Sequence, residues 1–128
     1  MPSYDSTRFS PPAPIALVSL RNPETGLNCA DVPMLIDSGA DATLVPKEVV
    51  NLLGLGTSSD QLYELTGFDG STSTAQALRL EMTFLGKNFR GQFLLIDQEY
   101  GILGRNILNA VTLLFDGPNL NWDEFKRR

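Results

Sequence analysis

No histidine occurs anywhere in the 128 residues. That absence excludes Ser-His-Asp and Cys-His catalysis and the common zinc sites, which draw on His together with Cys or on several Cys. Cysteine is nearly absent as well: Cys29 stands alone. No intramolecular disulfide can form, which points to a reducing compartment and a cytoplasmic location. With no histidine to activate it, Cys29 is not a candidate nucleophile. Long apolar runs are missing too. The longest resemble Ile15-Ala16-Leu17-Val18, whereas a membrane-crossing helix needs about 20 residues. No basic segment followed by an apolar stretch opens the chain, so neither a signal peptide nor a membrane partner is expected. Basic charge is scarce. The net charge is −5, and the one basic cluster, Lys126-Arg127-Arg128, closes the chain and reads as a solvated tail. Nucleic acid is therefore not an expected partner, because phosphate binding rests on clustered Lys and Arg. Acid–base chemistry in such a chain must come from carboxylates, Lys, Tyr or a hard cation.

What is present fits one soluble domain: 42 % hydrophobic and 20 % charged residues over a length typical of a single core. Residues 1–14 hold Pro2, Pro11, Pro12 and Pro14 and read as an extended arm outside the core. The domain proper is expected over 15–122, with 123–128 a charged tail. Ile15–Arg21 and Leu27–Ile36 are β-leaning and flank the turn Asn22-Pro23-Glu24-Thr25-Gly26, so a hairpin is expected. Thr43-Leu44-Val45 reads as a short strand. Pro46 suits a first helical turn, with Lys47–Leu53 behind it and Gly54 at its end. Leu62–Thr66 is a further strand. Leu78, Leu80, Met82 and Phe84 alternate with Ala77, Arg79, Glu81 and Thr83, the period of a strand with one wet face. Gly86-Lys87-Asn88 turns into a strand over Phe89–Ile96. Arg105–Ala110 suits one or two helical turns, and Val111–Phe115 a last strand before the turn at Asp116-Gly117-Pro118-Asn119. About seven short strands with one or two short helices predict an all-β, or mainly β, domain.

One stretch carries candidate chemistry. Leu35-Ile36-Asp37-Ser38-Gly39-Ala40-Asp41 places a carboxylate directly after a buried strand, where a rigid base presents it. Gly39 lets the backbone turn sharply and approach a ligand. About sixty residues later comes Gly101-Ile102-Leu103-Gly104-Arg105-Asn106. With both segments in this order, and a Gly-flanked segment Gly67-Phe68-Asp69-Gly70 between them, the chain resembles the retropepsin-like aspartic proteases over roughly Ile15 to Trp122. Leu44-Val45-Pro46 and Leu114-Phe115-Asp116-Gly117-Pro118 resemble the bacterial, cellular members more than the viral ones.

The resemblance implies a single-lobe acid-protease barrel with a flap hairpin and an active site at a homodimer interface. It implies that Asp37 is catalytic and that the Ser38 hydroxyl links two aspartate loops across the dimer. The Gly39 carbonyl would border the substrate, with Ala40 completing the loop. Ile102, Leu103, Gly104 and Asn106 would brace it, and Arg105 would pair with Asp41. Gly67, Phe68, Asp69 and Gly70 would contact substrate from the flap, beside Gly39 and Asp41. Two carboxylates held about 3 Å apart share one proton. One then deprotonates water while the other polarises the scissile carbonyl. This chain has a single Asp-Ser-Gly, so the second carboxylate is expected from another copy, and the substrate is expected to be a peptide bound extended. No cofactor or metal is called for. Ala40 cannot donate a side-chain hydrogen bond to the pair, so mildly acidic rather than strongly acidic activity is expected. Two other readings compete: a non-catalytic peptide-binding module on the same fold, and a hard-cation site built from Asp37, Asp41 and Asp69.

Overall fold

The computed structural model describes residues 2–55, 62–66 and 72–126. The strands are β1 (Tyr4–Asp5), β2 (Ala13–Arg21), β3 (Asn28–Ile36) and β4 (Leu44–Pro46), then β5 (Leu62–Thr66), β6 (Thr72–Phe84), β7 (Lys87–Ile96), β8 (Gly101–Leu103), β9 (Leu113–Asp116) and β10 (Asn121–Glu124). Two short helices, α1 (Lys47–Leu52) and α2 (Arg105–Leu108), interrupt them, so the mainly β expectation holds. No described helix is long and apolar enough to cross a membrane.

The barrel follows from alternation. In β2, Ala16, Val18 and Leu20 are buried while Leu17 faces out; in β6, Leu78, Leu80, Met82 and Phe84 are buried. Each strand thus gives one side to a shared interior. β2 pairs antiparallel with β3 as the sequence suggests, from Ile15↔Leu35 to Arg21↔Asn28. The register slips between Val18 and Leu20, and Asp31 takes a positive φ of 58°, as at a β-bulge. Beyond it Val32, Met34 and Ile36 point inward, so the chain reaches Asp37 with its apolar side committed to the core. The order runs β2-β3-β8-β4-β7-β6. The pairs Ser19↔Thr83, Leu20↔Met82 and Arg21↔Glu81 bring β6 back to β2 and close a six-stranded barrel, which removes the free sheet edges. β8 lies parallel to β3, with Ile36↔Leu103. β6 and β7 join through a two-residue turn in which Leu85 and Gly86 both have positive φ, the geometry that suits hairpin twist. That is one residue tighter than the expected Gly86-Lys87-Asn88 turn.

Two expectations need correction. First, residues 2–9 are not an arm outside the fold. Tyr4 and Asp5 pair with Pro14 and Ala13, and Ser3 bridges to Asn121. Trp122 N–H donates to the Pro2 carbonyl at 3.1 Å. Arg8 Nε meets Glu99 Oε1 at 3.1 Å, and Phe9 stands edge-on to Tyr100 at 5.0 Å. An unpaired strand edge at β10 and the Trp122 ring, buried with its Nε1–H donating to the Ile15 carbonyl, supply what local sequence could not show. The polar tail likewise starts late, since Asp123 and Glu124 belong to β10. Deleting residues 2–9 should therefore lower stability by roughly 2 kcal/mol or more through uncovered apolar surface and lost backbone hydrogen bonds. Thermal melts check this, and an unchanged melting temperature would contradict it.

Second, the outer side of β6 is not uniformly wet. Glu81 is 6 % exposed, gripped by Arg21 Nη1 at 3.2 Å and Arg90 Nε at 3.1 Å. Burial pushes its pKa up, but hydrogen bonds from Arg21 and Asn88 and the charges of Arg90 and Arg21 outweigh that and hold it below the ordinary glutamate value. A carboxyl depressed in the folded state contributes stability above its unfolded pKa and loses it as pH falls through the folded one. Stability should thus decline as pH drops below the ordinary value of 4.5. Glu81→Gln should flatten that decline while lowering stability near neutrality. Denaturation midpoints across pH read both effects.

Candidate active site

The buried Ile36 ends β3 against Leu103 of β8. Asp37 follows, half-buried, with its N–H donating to the Leu103 carbonyl at 3.1 Å. The parallel ladder therefore extends one residue past the strand and fixes the Asp37 backbone. The chain then turns on itself. Ala40 N–H donates to the Asp37 carbonyl at 3.1 Å, and Gly39 N–H donates to Asp37 Oδ1 at 3.0 Å. The carboxylate is thereby oriented by a backbone donor, and no side chain among the described residues hydrogen-bonds it. Such fixed placement on a strand end is what a catalytic carboxylate needs. Ser38 and Gly39 are exposed, and nothing among the described residues hydrogen-bonds the Ser38 hydroxyl. The front of the turn thus faces outward.

Behind the turn, Gly104 and Arg105 form a clamp. Arg105 N–H donates to the Ala40 carbonyl at 2.8 Å. Gly104 is so close to the loop that a Cβ there would collide with the Ala42 carbonyl group and come within 3.0 Å of the Ala40 carbonyl oxygen. Gly104 N–H donates to Thr43 Oγ1 at 3.0 Å, and Thr43 Oγ1 donates in turn to Asn106 Oδ1 at 2.6 Å. Thr43 is 1 % exposed. Its hydroxyl is the hub between the two loops. Sequence reasoning placed it in a strand and missed this role; the available signal was a hydroxyl at an inward position between Ala42 and Leu44.

The structure brings Asp37, Ser38, Gly39, Ala40, Leu103, Gly104, Arg105 and Asn106 together, with Ile102 beside Leu44 and Leu35 in the sheet. It does not join Asp41 to Arg105. Among the described residues no ion pair links them. Arg105 Nη1 instead donates to the Ser38 carbonyl at 2.9 Å. Both side chains are exposed, where ion pairing is worth little, whereas the Ser38 carbonyl is a fixed acceptor on the clamped turn. Gly67, Phe68, Asp69 and Gly70 lie outside the described residues; the strands flanking them pair from Leu62↔Gln76 to Thr66↔Thr72. Among the described residues no three His, Cys, Asp or Glu side chains converge as a cation cradle, and Asp69 is not among those residues. A larger cavity, about 580 Å³, opens between the N-terminal segment and the barrel, beside Tyr4, Ile15, Leu17 and Trp122. It includes none of the residues of the Asp37 turn.

This geometry offers a single oriented carboxylate on an open turn, sealed from behind. A family model described as aspartyl protease matches residues 25–107, more than half of the chain. Among solved structures, the EIAV protease complexed with the inhibitor HBY-793 is similar at a TM-score of 0.57 and 21 % identity, over 77 % of this chain and 86 % of that one. That likeness speaks to the fold. No curated protein matches the chain.

Proposed function

The chain belongs to the aspartyl protease family, and from that premise we propose that it is an endopeptidase whose active centre is completed by a second copy, with two Asp37 carboxylates activating one water. The observation that carries this reading is the Asp37 turn itself: a carboxylate pinned by Gly39 N–H and braced by Gly104 and Arg105, with its front open.

Hydrolysis of an amide needs a base for the water and an acid for the carbonyl and the leaving amine. Two carboxylates in contact cannot both ionise, so the pair holds one proton and supplies both functions at once. The ionised member takes a proton from water as its oxygen attacks. The protonated member donates to the carbonyl oxygen, and the roles reverse as the amine leaves. No covalent enzyme intermediate is needed, in keeping with a chain without histidine. The substrate is an extended peptide across the two-fold axis, held by strand-like hydrogen bonds.

Digestion of a diverse peptide library across pH, with and without a pepstatin-type inhibitor, tests the reading. Cleavage is expected in the mildly acidic range and is expected to be suppressed by the inhibitor, because Gly39 N–H is the donor that the turn gives the carboxylate and Ala40 adds no hydroxyl. No cleavage at any pH would refute the function. A rate maximum near pH 2 would refute the argument from Ala40.

A further inference from the structure

The N-terminal segment reaches the connection that leads into the site. Asp5 ties this segment into a compact knot. Its Oδ1 accepts Thr7 N–H and the Thr7 hydroxyl, each at 2.8 Å, and Arg8 N–H at 3.0 Å, while Oδ2 accepts Arg8 Nη1 at 2.8 Å. The Arg8 N–H bond first, and then the Thr7 hydroxyl, hold the Asp5 carboxyl well below the usual carboxylate range, so the knot persists under mildly acidic conditions. β1 anchors it to the barrel through Tyr4↔Pro14 and Asp5↔Ala13. Arg8 is thereby preset, with Nε left to donate to Glu99 Oε1 at 3.1 Å. The next residue, Phe9, stands edge-on to Tyr100 at 5.0 Å.

Glu99 and Tyr100 end the connection 97–100, which is neither helix nor strand. Among the described residues, the side-chain hydrogen bonds, ion pairs and ring contacts that reach this connection from elsewhere come from Arg8 and Phe9. Directly after it, β8 runs to Leu103, whose carbonyl accepts Asp37 N–H at 3.1 Å. At about 3.3 Å per residue, Tyr100 lies roughly 10 Å along the strand from that anchor. β8 has little room to absorb a shift sideways, because a Cβ at Gly101 would collide with the Leu44 carbonyl oxygen and with Met34 Sδ. A displacement of the connection therefore passes lengthwise along β8 to Leu103, as close-packed interiors transmit strain.

We propose that Arg8 and Phe9 are positioning residues for the reaction: through Glu99 and Tyr100 they fix the start of β8, and through the Leu103 carbonyl they set where Asp37 stands. This rests on the reading of Asp37 as one of a catalytic pair. The contacts bear on the rate more than on stability. The Glu99 side chain is 73 % exposed, and an ion pair so exposed is worth little to the folded state. The rate is far more sensitive, since a misplacement of about 1 Å at a reacting group costs about 10²-fold. Moving Asp37 away from its mate also weakens the coupling between the two carboxylates, so the pH range over which the pair holds a single proton narrows.

Steady-state cleavage across pH tests the proposal on wild type, Glu99→Ala, Phe9→Ala and the two combined, with circular dichroism and thermal melts reporting the fold of each. The combined variant is expected to lose at least about 10-fold in kcat with KM within about twofold, a fraction of the penalty for an ångström-scale shift. Its kcat profile is expected to narrow from the basic side, where coupling holds the shared proton. Glu99→Ala alone, which decides the question where loss of the Phe9 ring prevents folding, is expected to lose about threefold or more in the same pattern. Phe9→Tyr keeps the ring and Glu99→Gln keeps an acceptor for Arg8 Nε, so both are expected to retain the wild-type rate. Unchanged kcat in Glu99→Ala and in the combined variant would overturn the positioning role while leaving the Asp37 centre standing. So would a rate that falls only in step with the melting temperature, with the pH profile unmoved. A wild type that cleaves at no pH would overturn both.

Discussion

Asp37→Asn is expected to leave the barrel folded and to abolish peptide cleavage, by about 10⁴-fold or more. Acid and base catalysis each contribute roughly 10²–10⁴-fold, and one substitution removes both if, as proposed, each copy supplies one member of the pair. An amide at this position can still accept the Gly39 N–H hydrogen bond at Oδ1, and among the described residues no salt bridge to Asp37 is present to be lost, so the melting temperature should barely move. The variant also separates an enzyme from a peptide-binding module on the same barrel. An enzyme loses cleavage and keeps peptide affinity. A binding module shows no cleavage in wild type either. Mixing sharpens the result further. When subunits exchange freely, a roughly ninefold excess of Asp37→Asn chains leaves about one wild-type subunit in ten with a wild-type mate. Activity should fall to about that fraction, although the amount of wild-type protein is constant. Full activity in the mixture would mean that one Asp37 suffices.

The parts of this site that were legible in the sequence are those governed by neighbours along the chain. Period-two alternation and the Asn22–Gly26 turn locate β2 and β3, and the apolar run Met34-Leu35-Ile36 places Asp37 at a strand end. Gly54 follows the end of α1 as expected, taking a positive φ of 68°, whereas Pro46 ends β4 in an extended conformation and caps α1 rather than lying in its first turn. What alternation cannot express is which distant strand lies alongside. The parallel β3–β8 pairing that supports Asp37 from Leu103, and the β2–β6 pairing that closes the barrel, are decided by tertiary packing. The same limit explains Glu81. It occupies a position that alternation assigns to solvent, yet Arg21 from β2 and Arg90 from β7 fold over it. Arg105 shows the reverse case. A charge pairing with Asp41 is easy to draw from sequence, but an exposed guanidinium takes whichever acceptor is fixed nearest, here the Ser38 carbonyl. The N-terminal segment was misjudged because its prolines speak against a core strand, whereas the open edge of β10 requires only a few residues of extended chain.

Gly104→Ala is expected to damage both stability and activity. Strain at Gly104 itself is not the reason, since φ −94° and ψ −179° are open to any residue. The obstacle is the Ala42 carbonyl group in front and the Ala40 carbonyl oxygen beside it, both backbone atoms that cannot swing away. Either the Asp37 turn moves outward or α2 moves back, and both routes stretch the 2.8 Å hydrogen bond from Arg105 N–H to the Ala40 carbonyl. Overpacking of this kind costs about 1–3 kcal/mol, which a thermal melt detects. A shift of about 1 Å in the catalytic group costs about 10²-fold in rate. Thr43→Val provides the contrast. It keeps the volume and removes the hydroxyl, leaving the buried Gly104 N–H without an acceptor and Asn106 Oδ1 without its donor, at about 1–3 kcal/mol. The loop is not pushed, so its rate should fall far less than in Gly104→Ala for a similar loss of stability. Thr43→Ser, which restores the oxygen, should recover most of that stability. Equal rate losses in Gly104→Ala and Thr43→Val would mean that hydrogen bonding through Thr43, rather than close backbone contact at Gly104, sets the position of Asp37.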